Sequence, residues 1–143
     1  SDDGRGMDRE TVARVTDPFY TTRSTRHVGL GLPLYKMAAE AAGGTLSVAS
    51  APGEGTKVEA TFQLSHPDRQ PLGDVAGALL VFLMTDRPVR LVYRHRVTGN
   101  VEGVFEFDTA KILAELEGLP LNHPLVAHWL AEYLSEGEAG LAL

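Results

Sequence analysis

The sequence predicts a mixed α/β protein in which two segments each combine helices with a β-hairpin. Three observations favour this fold class: apolar residues recur at helical spacing, apolar and polar residues alternate in short runs, and a polar connector with two prolines occupies positions 66–71. The chain has 143 residues, of which 43% are hydrophobic and 22% charged, so it can form a sizeable core. We expect one domain over residues 1–66 and an α+β extension over residues 67–143.

The first segment contains two predicted helices followed by a hairpin. In chain order, its predicted elements are a glycine turn at 2–6, a helix at 8–15, a polar loop at 19–29, a helix at 30–42, and strands at 46–49 and 56–64. Asp8 is placed to cap the first helix, and Asp17-Pro18 to end it. Gly43-Gly44 ends the second helix. Apolar and polar residues alternate in both predicted strands, which lie on either side of a glycine-rich turn. This pattern predicts a hairpin.

The second segment has an αββαα pattern. Its predicted elements are helices at 72–85 and 109–117, strands at 89–97 and 104–107, and a last helix between Asn122 and Gly137. Thr98-Gly99-Asn100 is the predicted turn between the strands, and Asn122 the predicted cap of the last helix. That helix carries an apolar stripe whose two aromatic members we expect in the core: Leu125, Val126, Trp129, Leu130, Tyr133 and Leu134.

The composition argues against several classes of partner. A formal net charge of −6 and a pI near 5.3 do not suit nucleic acid, which usually requires a basic face. The chain lacks a polybasic run for an anionic membrane, and its longest apolar stretch, at 75–84, is too short to cross a bilayer. Cysteine is absent, so disulfides and thiolate metal sites are excluded. We expect a cytoplasmic protein that binds neither nucleic acid nor membrane.

Two motifs near the start of the chain have the chemistry of a nucleotide site. In Asp2-Asp3-Gly4-Arg5-Gly6-Met7, a carboxylate can accept a hydrogen bond from an exocyclic amine, while the glycines let a flat ring approach the backbone. In Asp17-Pro18-Phe19-Tyr20-Thr21-Thr22-Arg23, aromatic residues stand at the root of a polar loop whose arginines can reach phosphate. An exposed acidic turn and a surface loop are the alternatives for each motif taken alone.

Two further motifs follow in the same half of the chain. Gly29-Leu30-Gly31-Leu32-Pro33-Leu34 opens a helix, where free backbone N–H groups and the helix dipole favour an anion. The alternative is an ordinary glycine-rich helix start. Taken alone, Pro52-Gly53-Glu54-Gly55-Thr56 is a hairpin turn. Its threonine hydroxyl is, however, placed to contact the same nucleotide base as Asp2.

In this order the four motifs resemble the glycine and phenylalanine boxes of the GHKL superfamily of ATPases, which includes gyrase, Hsp90 and the histidine kinases. Asp-Pro-Phe-Tyr-Thr-Thr-Arg followed by Gly-Leu-Gly-Leu is most similar to the histidine kinases. The resemblance covers residues 2–64. It implies an α/β sandwich with helices on one side of a sheet, so residues 1–66 would be a partial ATPase domain and residues 67–143 a C-terminal αββαα extension.

The resemblance also implies roles for individual residues. Asp2 would bind the adenine amine, with support from Thr56, in a pocket shaped by two glycines. Two aromatic residues would anchor a lid, and the start of the second helix would wrap the phosphates. The nucleotide-binding residues implied in this way are Asp2, Gly4, Gly6, Phe19, Tyr20, Thr22, Arg23, Gly29, Leu30, Gly31, Leu32 and Thr56.

The departures from the family pattern concern the lid and the metal. His27-Val28 stands where histidine kinases usually have a small residue, and the lid is short. The family holds Mg²⁺ with an asparagine upstream of these motifs, whereas Asn100 and Asn122 both lie downstream. We therefore expect a fragment of a longer protein, or a chain completed by a partner, in which ATP and Mg²⁺ bind fully only in the complete protein.

The leading functional prediction is an ATP-binding protein of the histidine kinase-like type, part of a signalling or regulatory kinase and inactive as this chain alone. Its acceptor histidine is not identified, because none of His66, His95, His123 and His128 has the acidic helical context expected of it. A non-catalytic nucleotide sensor that contacts a protein partner through residues 67–143 is the alternative. A third interpretation is an interaction module that kept the fold and lost the ligand.

Overall fold

The computed structural model describes residues 1–21, 29–85, 87–99 and 102–141. The chain forms two compact units, Ser1–Pro71 and Leu72–Leu143. Both contain helices and a two-stranded antiparallel sheet, which confirms the predicted mixed α/β class. Within the described ranges, none of the helices has the length and apolar character that a bilayer span requires.

The first unit is built from two helices and one hairpin. Its elements are α1 (Arg9–Arg14), α2 (Gly31–Ala41), β1 (Leu46–Ala51) and β2 (Gly55–Ala60). The strands pair in register from Leu46↔Ala60 to Ala51↔Gly55. An isolated bridge pairs Asp2 with Thr56, so the chain start lies against β2.

A local side chain sets where the first helix of this unit begins. The carboxylate of Asp8 accepts the backbone N–H of Thr11 at 2.7 Å, which confirms Asp8 as the cap of α1. Helix α2 begins at Gly31 without a side-chain cap. Strand β2 is shorter than predicted, because Gln63 donates its backbone N–H to Ala42 rather than to β1.

The second unit contains α3 (Val75–Leu83), β3 (Val92–Val97), β4 (Gly103–Asp108), α4 (Thr109–Glu115) and α5 (Pro124–Ala139). Helix α3 begins later than predicted, because Asp74 accepts the backbone N–H of Gly77 at 2.8 Å and so caps it. The buried core of this unit consists of Leu83, Phe107, Ile112, Val126, Leu130 and Leu134. This core joins the hairpin to α3, α4 and α5.

The predictions for the ends and the apolar stripe of α5 were partly wrong. Its cap is His123 rather than Asn122, because Pro124 takes the first helical position, where a missing N–H costs nothing. The helix runs through Gly137 instead of ending before it. Two stripe residues are exposed rather than buried, with Leu125 at 75% and Trp129 at 41%.

Candidate nucleotide-binding site

A cavity of about 780 Å³ in the first unit brings the sequence motifs together. That volume suits a small-molecule ligand. The predicted residues that line it are Asp2, Gly4, Gly6, Tyr20, Gly29, Leu30, Gly31, Leu32 and Thr56. Residues 2–6, the start of α2 and the start of β2 therefore face one space, although they are far apart in sequence.

One end of the cavity is formed where the first residues pair with β2. Asp2 donates its backbone N–H to the Thr56 carbonyl at 2.8 Å and accepts the Thr56 N–H at 3.1 Å. Its carboxylate oxygen Oδ1 accepts the backbone N–H of Gly4 at 2.9 Å, which closes a tight turn. Within the described part of the chain, Oδ2 of Asp2 makes no hydrogen bond. The turn thus fixes a carboxylate that keeps capacity to accept a hydrogen bond from a ligand.

Gly6 allows this turn to lie against the hairpin. Its φ is +68°, and a Cβ there would overlap the carbonyl group of Ala51. Only glycine adopts such a position without strain. The residue therefore shapes the wall of the cavity by letting the turn lie close to the hairpin.

The other end of the cavity is the beginning of α2. The first residues of a helix leave N–H groups without an intrahelical partner, and the dipole places partial positive charge there. A Cβ added at Gly31 would meet no atom of the described residues within 4 Å, so they leave this stretch of backbone open to close approach. Pro33, which has no N–H, is buried in the first turn of the helix. These features suit a phosphate group.

Helix α1 and Tyr20 form a further wall. The Tyr20 hydroxyl lies 3.3 Å from Oγ1 of Thr11, and the Arg14 guanidinium lies over its ring at 4.6 Å. The hydrogen bond from the Thr11 backbone N–H holds the pKa of Asp8 below its usual range, so Asp8 is ionised at neutral pH. The contacts with Thr11 and Arg14 hold the Tyr20 ring against α1.

One predicted residue is not part of the cavity wall, and two others lie outside the described residues. Phe19 is 85% exposed and does not line the cavity. Its backbone N–H is held by Asp17 at 2.9 Å. Thr22 and Arg23, together with most of the predicted lid, lie outside the described residues.

The cavity wall also includes residues that were not among the predicted binding residues: Arg5, Met7, Asp8, Thr11, Val15, Thr21 and Pro33. Thr11 and Val15 are four positions apart and so share one face of a helix. That spacing was visible in the sequence, but which face meets a ligand depends on tertiary packing. No sequence signal could have separated this face from an ordinary packed one.

The cavity does not provide a recognisable Mg²⁺ site. The carboxylates on its wall belong to Asp2 and Asp8, and both accept backbone N–H groups. Over the described ranges, no group of three or more His, Asp or Glu side chains is arranged to hold a metal ion. The residues present therefore do not fit the magnesium that GHKL ATPases use, and we assign no ligand to it.

Comparison with known proteins relates this site to one family. Residues 1–66 match the sequence profile described as histidine kinase-, DNA gyrase B-, and HSP90-like ATPase. No solved structure matches the chain significantly.

Two curated relatives illustrate the likeness. The non-motile and phage-resistance protein of Caulobacter vibrioides is 36% identical over 83 residues, which cover 54% of this chain and 10% of that protein. The sensor histidine kinase YxdK of Bacillus subtilis is 37% identical over 65 residues, 43% of this chain and 20% of that kinase. The chain thus spans a fifth or less of these relatives. The likeness to the histidine kinase-like, or GHKL, ATPase family therefore covers residues 1–66, slightly less than half of the chain, and supports a kinase-like ATP-binding domain there.

Proposed function

We propose that residues 1–66 hold the base and the phosphates of ATP, as part of a sensor-type histidine kinase that transfers a phosphoryl group to a protein. One observation carries the proposal. A single cavity has the Asp2 carboxylate and Thr56 on its wall together with the open start of α2. An adenine amine is a hydrogen-bond donor and a phosphate chain is an anion, so the two ends match the two halves of the ligand.

The chemistry that this chain's own residues supply is binding and orientation. The Asp2–Thr56 bridge fixes the base-reading groups on the hairpin, and the N–H groups at the start of α2 orient the phosphates. In the complete kinase, ATP would bind with Mg²⁺, as GHKL domains generally do, and residues beyond those described in this cavity would hold the ion. The acceptor histidine and the protein substrate belong to that complete protein.

The proposal predicts a base-specific defect for Asp2→Asn. The substitution keeps an oxygen for the Gly4 turn but replaces the charged acceptor by an amide, which weakens a charge-assisted hydrogen bond. We expect ADP to bind about tenfold more weakly or worse, while inorganic triphosphate binds as before. Isothermal titration of both ligands against the 143-residue chain measures the difference.

Asp3→Asn is the matched control, since this neighbouring carboxylate does not line the cavity. It changes the net charge by the same amount and should leave both affinities unchanged. Equal losses of ADP and triphosphate in Asp2→Asn would contradict the assignment of the base end.

A non-catalytic nucleotide sensor is the second candidate, and one observation favours it. The cavity is lined by residues of the first unit alone, whereas the second unit has its own core. Such a division suits a nucleotide-binding unit joined to a unit that contacts a protein. Transfer of radiolabelled phosphate from ATP by the complete protein would favour the kinase, and nucleotide binding without transfer or phosphate release would favour the sensor.

A further inference from the structure

Ser50 joins three segments of the first unit through one hydroxyl group. It lies on β1, directly opposite Thr56 on β2. Its Oγ accepts the backbone N–H of Met7 at 2.9 Å, donates to the Gly55 carbonyl at 2.7 Å, and lies 2.9 Å from Oγ1 of Thr56. The motifs in the sequence did not identify this residue, and it does not line the cavity.

The direction of each bond follows from the hydrogens available. A serine hydroxyl has one proton and two acceptor positions. The Gly55 carbonyl cannot donate, so the short contact to it requires the proton of Ser50. The Met7 N–H occupies one acceptor position. The bond between Ser50 and Thr56 must therefore use the proton of Thr56.

This assignment fixes what Thr56 presents to a ligand. With its only proton directed at Ser50, Oγ1 of Thr56 is left with acceptor capacity alone. Thr56 lines the cavity beside Asp2, whose carboxylate is also an acceptor. Two acceptors placed together attract a donor such as an exocyclic amine and repel a carbonyl oxygen at the same position.

We propose that Ser50 is a positioning residue that orients the Thr56 hydroxyl as an acceptor and so makes the cavity select a base with an exocyclic amine. The inference rests on the proposed function, because it concerns the base end of the same site. It adds a residue outside the cavity wall that sets base selectivity through Thr56. Loss of Ser50 frees the Thr56 proton, which can then be donated to a carbonyl on the base.

ADP and IDP test this inference, because inosine carries a carbonyl where adenine carries its amine. We expect the full chain to prefer ADP, and Ser50→Ala to reduce the ratio of the IDP and ADP dissociation constants by roughly fivefold, the effect of about one hydrogen bond. If Ser50 served only to hold the hairpin and the first turn together, both nucleotides would weaken equally. An unchanged ratio in Ser50→Ala would therefore overturn the proposal.

Thr56→Val provides the second measurement and removes the hydroxyl at nearly constant volume. We expect this variant to lose the part of the ADP preference that Thr56 contributes, while Asp2 keeps the rest, and Ser50→Ala to have no additional effect on the ratio in the Thr56→Val background. An additional change of similar size in that background would overturn the proposal, since Ser50 would then act independently of Thr56. Failure of the unsubstituted chain to bind either nucleotide would instead contradict the proposed function.

Discussion

Two glycines on the cavity wall fit their positions for opposite physical reasons. Gly6 has a positive φ and lies so close to Ala51 that a side chain would overlap its carbonyl. Among the described residues, Gly31 has no such neighbour, and none of their atoms lies within 4 Å of the position of its missing Cβ. Packing within the protein therefore explains the first glycine but not the second. A ligand that approaches the start of α2 would explain Gly31.

Gly31→Ala should therefore separate binding from folding. Alanine is a better helix former than glycine, so the stability of the chain should not fall. The added methyl group would occupy the approach to the helix start, and we expect ADP to bind on the order of tenfold more weakly. Thermal unfolding and ADP titration of the same preparation check the two halves of this prediction.

Gly6→Ala is the contrasting variant at the other end of the cavity. It should lower the stability of the first unit by about 1–3 kcal/mol, since it forces a left-handed backbone on alanine and a backbone displacement at Ala51.

Unaltered ADP affinity in a well-folded Gly31→Ala variant would contradict the placement of the phosphates.

At the scale of elements, α5 continues past a glycine because that glycine is packed. The missing side chain of Gly137 leaves room for the Phe105 ring of β4, which a Cβ would overlap. Phe105 in turn contacts the rings of Tyr93 and Tyr133. Tyr93 also donates its hydroxyl to Glu138 at 2.9 Å, next to the glycine. The hairpin and the end of α5 are thus held together by ring packing and a hydrogen bond.

Gly137→Ala should destabilise the second unit even though it raises helix propensity. We expect a net loss of about 1–3 kcal/mol, because the clash with Phe105 outweighs a propensity gain of at most about 1 kcal/mol. Urea unfolding followed by the fluorescence of Trp129, the single tryptophan of the chain, reports on this unit. Gly140→Ala is the matched control, since the nearest atom to its added Cβ is 3.4 Å away; similar losses in both variants would contradict the packing argument.

The junction between β4 and α4 depends on one ionised carboxylate. Asp108 caps α4 through the Ala110 N–H at 2.9 Å and binds the Arg90 guanidinium through both carboxylate oxygens. The hydrogen bond from Arg90 is the main cause that lowers the pKa of Asp108 to about 2. A carboxyl whose folded pKa is depressed stabilises the fold above its ordinary pKa and loses that contribution as pH falls towards the folded value.

We therefore expect the second unit to lose stability as the pH falls from about 4 towards 2, and Asp108→Asn to remove part of that pH dependence. Urea midpoints from Trp129 fluorescence across this pH range test the expectation. Glu106→Gln, at the exposed ion pair with Arg94 on the same hairpin, is the control. The same pH dependence in Asp108→Asn and in the unsubstituted chain would contradict the assignment.

The predictable elements were those whose signals are local. Asp8 as a cap and the helical periods could be predicted from neighbouring residues. The shortened β2 and the half-exposed Trp129 could not, because they depend on partners distant in sequence, whereas the His123 cap follows from the neighbouring Pro124. The same holds at the site, where the glycine motifs indicated a ligand but only the cross-strand pairing of Ser50 with Thr56 revealed a positioning residue.

On the scale of the whole chain, the two units differ in how they are packed. The described core cluster belongs entirely to the second unit. In the described part of the first unit, Ala39 and Ala42 are the buried hydrophobic residues, and α2 exposes Leu34 at 56% and Met37 at 61%. Burial of apolar area is the main favourable contribution to folding. Because the first unit buries less apolar area, we expect it to be the less stable of the two.

This difference predicts unequal hydrogen exchange. Amides of α2, β1 and β2 should exchange faster than those of β4 and α5, because the first unit opens more readily. Saturating ADP should slow exchange in the first unit and leave the second unchanged, since a ligand stabilises the state that binds it. Mass spectrometry of peptides from both units measures this, and equal slowing of both would show that they unfold as one body.

The most direct test of the central claim is a titration of the isotope-labelled chain with ADP, followed by NMR. The account places the base at Asp2 and Thr56 and the phosphates at the start of α2. It therefore predicts that the largest chemical-shift changes occur at the amides of Gly4, Gly31, Leu32 and Thr56. The chemical shifts of the second unit's amides should not change, apart from those next to its connection to the first unit. Shifts concentrated elsewhere, or none at saturating ADP, would contradict the account.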